Sequence, residues 1–174
     1  MIFYCYKQKK KIIFSTIFQK SYIYQMMLEK IQILDFIPIL FIALFLAIVF
    51  VQSGLDKVLY FNSNLQFLKT HFKNTIFKKR IKFLLLTITL LECIAGSVLL
   101  LFMFQSFLCF TSLSSELCYA SIYMLAWLGF ILSAITICCL FLGQRIAKDY
   151  PGAASLTFYF VIILIGMLFL FIAK

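Results

Sequence analysis

The stretch from Arg80 to Gln105 constrains the fold most, because it is apolar over the length of a membrane-spanning helix and carries one carboxylic acid near its middle. That acid, Glu92, lies about ten residues from the basic group Arg80–Lys82, or about 15 Å at the rise of an α-helix. A charged side chain at the centre of a bilayer costs about 2.5–3.5 kcal/mol. Glu92 therefore needs polar partners inside a helix bundle, and an ionisable residue at this depth is a candidate functional site.

The composition of the 174-residue chain is that of a membrane protein, with 64% hydrophobic and only 13% charged residues and a mean hydropathy of +1.07. A soluble domain carries about 25% charged residues. The formal net charge of +10 would indicate nucleic acid in a soluble protein. Here the cations lie before and between the apolar runs, so we expect the lipid bilayer and its anionic headgroups as the partner. The sequence has no nucleic-acid module and no phosphate-binding loop.

The hydropathy pattern predicts an all-α, integral membrane four-helix bundle as one domain over residues 33–173. The predicted spans cover about 34–55, 81–105, 118–143 and 152–173. Small residues at helical spacing mark the faces on which these spans pack closely. In the first three spans they are Ala43, Ala47 and Gly54, then Thr89, Cys93 and Gly96, then Ala126, Gly129, Ser133 and Thr136. In the fourth span the interior candidates are Tyr159 and Gly166.

Residues 1–32 form a basic tail with two interpretations. It contains six lysines alternating with aromatic residues, which is typical of an interfacial arm. Met26 and Met27 stand just before the apolar part of the chain, and a start there would make the preceding residues a misassigned beginning. Both interpretations place the tail outside the four-span domain.

Loop one, residues 60–79, predicts a short helix in the membrane interface, because its apolar residues recur every three to four positions. It contains His71, the chain's one histidine. A metal site would need further nitrogen or sulfur ligands at fixed spacing. We therefore interpret His71 as an interfacial residue and predict no metal.

Counting four spans places loops one and three on the same side of the membrane. Seven polar residues should therefore gather at one mouth of the bundle, above Glu92. They are Gln52, Asp56, Lys57, Gln144, Arg145, Lys148 and Asp149. Three interpretations remain open: an internal ion-pair network that orients the helices, a site for a substrate or quinone headgroup, and a path for protons or ions.

The positive charges predict the orientation. Nine lysines and arginines lie in and beside loops one and three, whereas loop two, around residues 106–116, has none. Positive residues of short loops stay in the cytoplasm, so both termini should lie outside. A complete basic tail would weaken this asymmetry.

The cysteines exclude zinc and thioredoxin-type sites, since no two have the C-x-x-C spacing. Cys109 and Cys118 flank the short second connection. In the predicted orientation this connection is periplasmic, where disulfides form. The sequence thus allows a Cys109–Cys118 disulfide.

Three segments resemble the DoxX family of small four-span bacterial membrane proteins. They are Gln52-Ser53-Gly54-Leu55-Asp56-Lys57 at the end of the first span, the Glu92…Gly96 pair, and Gly-Gln-Arg-Ile-Ala-Lys-Asp-Tyr at 143–150. The resemblance covers about residues 33–173 and implies a four-helix bundle in the bacterial inner membrane. It also implies that Lys57 and Glu92 match the family's polar positions. Some relatives are membrane subunits of a thiosulfate:quinone oxidoreductase, and others belong to oxidative-stress membrane complexes.

Two functional hypotheses follow. In the first, the chain is a redox-linked subunit that binds a quinone headgroup, with Glu92 and Lys57 or Arg145 bonding its oxygens and a membrane or peripheral redox subunit as partner. In the second, it is a non-catalytic scaffold or partner subunit whose ion-pair network only holds the helices together. No cofactor-binding motif is evident in the sequence.

Overall fold

The computed structural model describes residues 36–111 and 116–173, with the side chains of residues 111–119 excepted. All regular structure in these ranges is helical. The tail at 1–32 and its two interpretations lie outside the described residues.

Four long helices and two short elements make up the described chain. They are α1 (Phe36–Leu59), α2 (Phe61–His71), a 3₁₀ turn (Ile76–Lys79), α3 (Ile81–Thr111), α4 (Glu116–Ala147) and α5 (Tyr150–Ile172). The four long helices are each long and apolar enough to cross a membrane. The protein is therefore an all-α, multi-pass membrane bundle, as the hydropathy pattern predicted.

Three helices extend past the predicted spans. We predicted that the first three spans end near 55, 105 and 143, whereas α1 continues to Leu59, α3 to Thr111 and α4 to Ala147. Hydropathy detects only the part of a helix that lies in hydrocarbon, about 20 residues. Polar residues such as Gln105 and Gln144 interrupt the apolar run without ending the helix.

The four long helices pack in chain order around one core, and α5 closes the bundle against α1. At the α4–α5 contact, a Cβ placed on Gly166 would lie 2.5 Å from Cε1 of Phe130. At the α1–α5 contact, the rings of Phe45 and Tyr159 stack with centroids 6.1 Å apart. These contacts confirm that Gly166 faces the interior, and Tyr159 packs against the edge of the core.

The helices α1 and α3 approach closely where two glycines face the opposite helix. A Cβ on Gly54 would lie 2.8 Å from Sγ of Cys93, and one on Gly96 would lie 2.7 Å from Cγ2 of Val51. Any larger residue would force the helices apart, as expected of small residues in membrane interfaces. Most of the predicted small residues are buried. The buried ones are Ala43, Ala47, Gly54, Gly96, Ala126, Gly129, Ser133 and Thr136.

The turn between α4 and α5 determines the positions of Lys148 and Asp149, the two polar residues that follow α4. Lys148 has a left-handed backbone, with φ of 63°. The N–H of Asp149 donates to the carbonyl of Gln144 at 3.0 Å and that of Lys148 to Arg145 at 3.2 Å, a Schellman motif. The Asp149 side chain then caps α5 by accepting from the N–H of Gly152 at 3.0 Å.

The predicted short helix of loop one is α2, and its end is anchored to the bundle. Phe72, the residue after α2, is 4% exposed. Its ring lies edge-on to that of Phe77, with centroids 6.2 Å apart. This anchor holds α2 across the end of the bundle where α3 begins and α4 ends.

Candidate functional site

Glu92, on α3, is the one charged residue among the described residues that is fully buried, at 1% exposure. The other buried polar residues are hydroxyls that donate to carbonyls of their own helices. They are Ser106, Ser133 and Thr136, which donate to Phe102, Gly129 and Leu132. A carboxylate only accepts hydrogen bonds, and helix carbonyls offer no donor. Glu92 therefore depends on another helix.

That helix is α1, which supplies Lys57 and Ser53. Lys57 Nζ lies 2.9 Å from Oε1 and 2.8 Å from Oε2 of Glu92. Ser53 Oγ donates to Oε1 at 3.1 Å and accepts from Lys57 Nζ at 2.6 Å. Lys57 and Ser53 are four residues apart and share one face of α1. We call Ser53, Lys57 and Glu92 the ion-pair cluster.

The α1–α3 approach brings the ion-pair cluster together. Gly54 follows Ser53, and the Cys93 that it contacts follows Glu92. Because no Cβ separates the helices there, the Lys57 and Ser53 side chains reach the Glu92 carboxylate directly. The Lys57 side chain is 20% exposed, although it lies in the last turns of α1. Its ammonium thus points towards the interior, whereas lysines near helix ends ordinarily extend to water.

A second polar group joins α2 to the α4–α5 turn. His71 Nε2 lies 3.0 Å from Oε1 of Gln144 and 3.9 Å from Oδ2 of Asp149. The His71 ring also stacks on Phe67, with centroids 5.5 Å apart. We call His71, Gln144 and Asp149 the histidine cluster.

Our interpretation of His71 as only an interfacial residue missed this cluster. The span count already placed loop one beside residues 144–149, which was a usable signal. Which of these residues His71 contacts depends on the rotation of α2 about its axis, and the length of the loop does not determine that rotation.

A cavity of about 90 Å³ lies between the two clusters. Lys57, His71 and Gln144 supply its polar wall. The rest of the wall is mostly apolar and includes Phe67, Leu68, Phe72, Leu85, Ile88 and Leu140. An apolar wall with a few converging polar groups is the usual lining of a small-molecule site, although such sites commonly measure about 300–1,000 Å³ and this cavity is smaller.

The seven polar residues expected at one mouth do not form a single cluster. Lys57 joins Glu92, while Gln144 and Asp149 join His71 instead. In the described part of the chain, the remaining four belong to neither cluster. These exposed residues are Gln52, Asp56, Arg145 and Lys148.

Arg145, one of the cations that the ion-pair interpretation offers to Glu92, is not its partner. Its guanidinium carbon lies 4.9 Å from the centre of the Tyr150 ring. Successive helical residues point about 100° apart. Gln144 can therefore face the cavity while Arg145 faces outward, although both lie at the same end of the bundle.

Cys109 is disulfide-bonded and 4% exposed. Its proposed partner, Cys118, has a side chain outside the described residues, so the pairing stays a prediction. The cysteines that the structure gives as free thiols are Cys93, Cys138 and Cys139. Over residues 36–111 and 116–173, no three His, Cys, Asp or Glu side chains come together as metal ligands.

The fold and the site define the class: a multi-pass helical membrane protein in which a lysine pairs with a buried glutamate beside a small cavity at one end. Comparisons of the chain with protein-family models, curated proteins and solved structures found no match.

Proposed function

We propose that this chain is a DoxX-like membrane subunit of a quinone-linked redox complex in the bacterial inner membrane, and that the cavity beside the ion-pair cluster receives the quinone headgroup. The observation that supports this proposal is the cavity itself. Its apolar wall suits a ring, and Lys57, His71 and Gln144 offer polar contacts at one side.

The ion-pair cluster holds the wall of the cavity in place. Lys57 belongs to both the cavity wall and the cluster, so its contact with Glu92 fixes the side of the cavity that α1 contributes. Reducing a quinone to a quinol takes two electrons and two protons. A partner redox subunit would have to supply the electrons, and the partly exposed His71 and Asp149 would offer the protons a route from water.

The orientation proposed from the sequence places this cavity near the cytoplasm. The exposed cations of α2, the 3₁₀ turn and the start of α3 lie at the same end of the bundle as the cavity. They are Lys69, Lys73, Lys78, Lys79, Arg80 and Lys82. Cations in such loops remain on the cytoplasmic side.

Quinone content tests the proposal directly. The protein is purified in mild detergent, its lipids are extracted, and quinone is quantified by its difference spectrum on reduction. We expect close to one quinone per chain. A preparation that contains none, and that takes up none when reconstituted in quinone-containing lipid, would contradict the proposal.

A non-catalytic scaffold is the second candidate, and the closed geometry of the ion-pair cluster favours it. Every hydrogen bond of the Glu92 carboxylate is made within the chain, so the cluster needs no ligand. Under this function, Glu92→Gln should leave assembly with the partner subunit intact, and the wild type should carry no quinone. The quinone content of the wild type separates the two candidates, because only the scaffold function expects none.

A further inference from the structure

Resting on the proposed function, we infer that the side-chain amide of Gln144 is the hydrogen-bond donor to the quinone carbonyl, and that neither Lys57 nor Glu92 contacts the ligand. This assignment differs from the hypothesis drawn from the sequence, in which the charged residues bond the quinone oxygens. The assignment follows from which N–H donors in the cavity wall are already hydrogen-bonded and which are available to a ligand.

Lys57 has no proton left for a ligand. An ammonium group has three N–H donors. In the structure, Nζ contacts Oε1 and Oε2 of Glu92 at 2.9 and 2.8 Å, and Oγ and the carbonyl oxygen of Ser53 at 2.6 and 3.4 Å. A ligand could bond Lys57 only by displacing Ser53 or an oxygen of a carboxylate that is 1% exposed. Leaving such a carboxylate under-bonded is costly.

Gln144 has donors to spare. Its Oε1 lies 3.0 Å from His71 Nε2 and accepts from it when that nitrogen carries the ring proton. That contact directs the amide oxygen towards α2 and leaves both N–H groups of the amide nitrogen available. Among the described residues, this nitrogen has no hydrogen-bond partner. Gln144 also lines the cavity, so a carbonyl there would meet a neutral donor.

The charges of the wall favour a neutral ligand. Lys57 is compensated by Glu92 at contact distance, so the ion-pair cluster offers no net charge to an anion. The apolar part of the wall would bury a ring or chain but would not solvate a charge. The site therefore fits an uncharged carbonyl compound with an apolar body, which matches a quinone.

Two substitutions at Gln144 separate its role as a donor from its role in docking α2. Gln144→Leu removes both the donor and the contact with His71. Gln144→Glu keeps an oxygen that accepts from His71 and removes the donor, while adding a negative charge. The matched control is Gln66→Leu, because Gln66 is an exposed amide on α2 outside the cavity wall.

The probe is decylubiquinone, titrated by equilibrium dialysis into the full-length protein in nanodiscs, together with the infrared carbonyl stretch of the bound quinone. We expect both Gln144 variants to weaken binding about tenfold, the loss of one hydrogen bond, and to abolish the downshift of the stretch that this bond produces. Gln66→Leu should change neither quantity. Thermal unfolding of each variant verifies that it is folded.

The outcomes distinguish this inference from the proposed function. If the wild type binds the probe and both Gln144 variants bind it equally well with an unchanged carbonyl stretch, the inference is wrong and the proposed function stands. If the wild type shows no saturable binding, both are wrong.

Discussion

The Lys57 ammonium contacts both carboxylate oxygens of Glu92, at 2.9 and 2.8 Å, and so joins the end of α1 to the middle of α3. Ser53, one turn before Lys57 on α1, donates a further hydrogen bond to Oε1 of Glu92. Two opposite charges meet in the bundle beside a glycine-lined crossing of the same two helices. Burial of the Glu92 charge therefore depends on the close packing of α1 against α3.

Removing Lys57 should destabilise the protein strongly. Lys57→Met strands a buried carboxylate, and breaking a buried pair in this way costs about 3–5 kcal/mol. Glu92→Gln in the same chain should restore part of this loss, because the amide carries no charge. The measurement is a double-mutant cycle from unfolding in mixed micelles, with a coupling of about 1 kcal/mol or more expected.

Arg145→Met is the matched control for that cycle. Arg145 packs on Tyr150 and does not reach Glu92. Its substitution should therefore combine additively with Glu92→Gln. Additivity for Lys57 as well would show that the pair does not form.

The glycine contact between α1 and α3 should tolerate no side chain. A Cβ at Gly96 would lie 2.7 Å from Val51 Cγ2 and 3.1 Å from the Val51 backbone nitrogen, so the α1 backbone itself must move. Gly96→Ala should cost about 1–3 kcal/mol, as overpacking does. Thermal unfolding in detergent measures this loss.

Gly143→Ala provides the comparison for Gly96→Ala. At Gly143 the nearest atom to an added Cβ is Phe72 Cζ at 3.7 Å, an ordinary contact. Replacing this helical glycine should be neutral or stabilising by about 0.5–1 kcal/mol. Equal effects at the two glycines would argue against a close α1–α3 crossing.

Lys148 is expected to carry backbone strain. Its φ of 63° lies in the left-handed region, which costs an L-residue about 1–2 kcal/mol. Lys148→Gly should therefore stabilise the protein, by about 1 kcal/mol after the entropy of the unfolded glycine is counted. The control is Lys79→Gly in the 3₁₀ turn, which should give no such gain in the unfolding midpoint. A loss of stability for Lys148→Gly equal to that of the control would contradict the strain.

Cys109 should be found cross-linked to Cys118. Alkylation without reductant under denaturing conditions, followed by digestion and mass spectrometry, should yield a disulfide-linked peptide containing both residues. Cys93, Cys138 and Cys139 serve as internal controls, since their thiols are free and should be alkylated. Recovery of Cys109 and Cys118 both in alkylated form would refute the pairing.

The orientation can be measured with reporters. Positive residues concentrate around α2 and the α4–α5 turn, so that end should face the cytoplasm. Alkaline phosphatase fused after Lys174 should be active, because the C-terminus then lies in the periplasm. A C-terminal fusion that is active only with a cytoplasmic reporter, such as green fluorescent protein, would reverse the assignment.

The sequence by itself determined the features that depend on local hydropathy and spacing. The four spans are long apolar runs, and each could be recognised without knowing its neighbours. The buried small residues follow from helical periodicity within one span. The need of Glu92 for a partner follows from its depth alone, because a lone charge in hydrocarbon is unfavourable.

Only the tertiary structure decided which groups meet. The sequence offered Lys57, Arg145 and Lys148 as cations for Glu92, and all three lie at the same end of the bundle. The choice of Lys57, the addition of Ser53 and the pairing of His71 with Gln144 depend on the rotation of each helix about its axis. That rotation is set by contacts between distant parts of the chain, above all the close crossing at Gly54 and Gly96. Successive residues of a helix point about 100° apart, so one of them can line the cavity while the next lies on the surface.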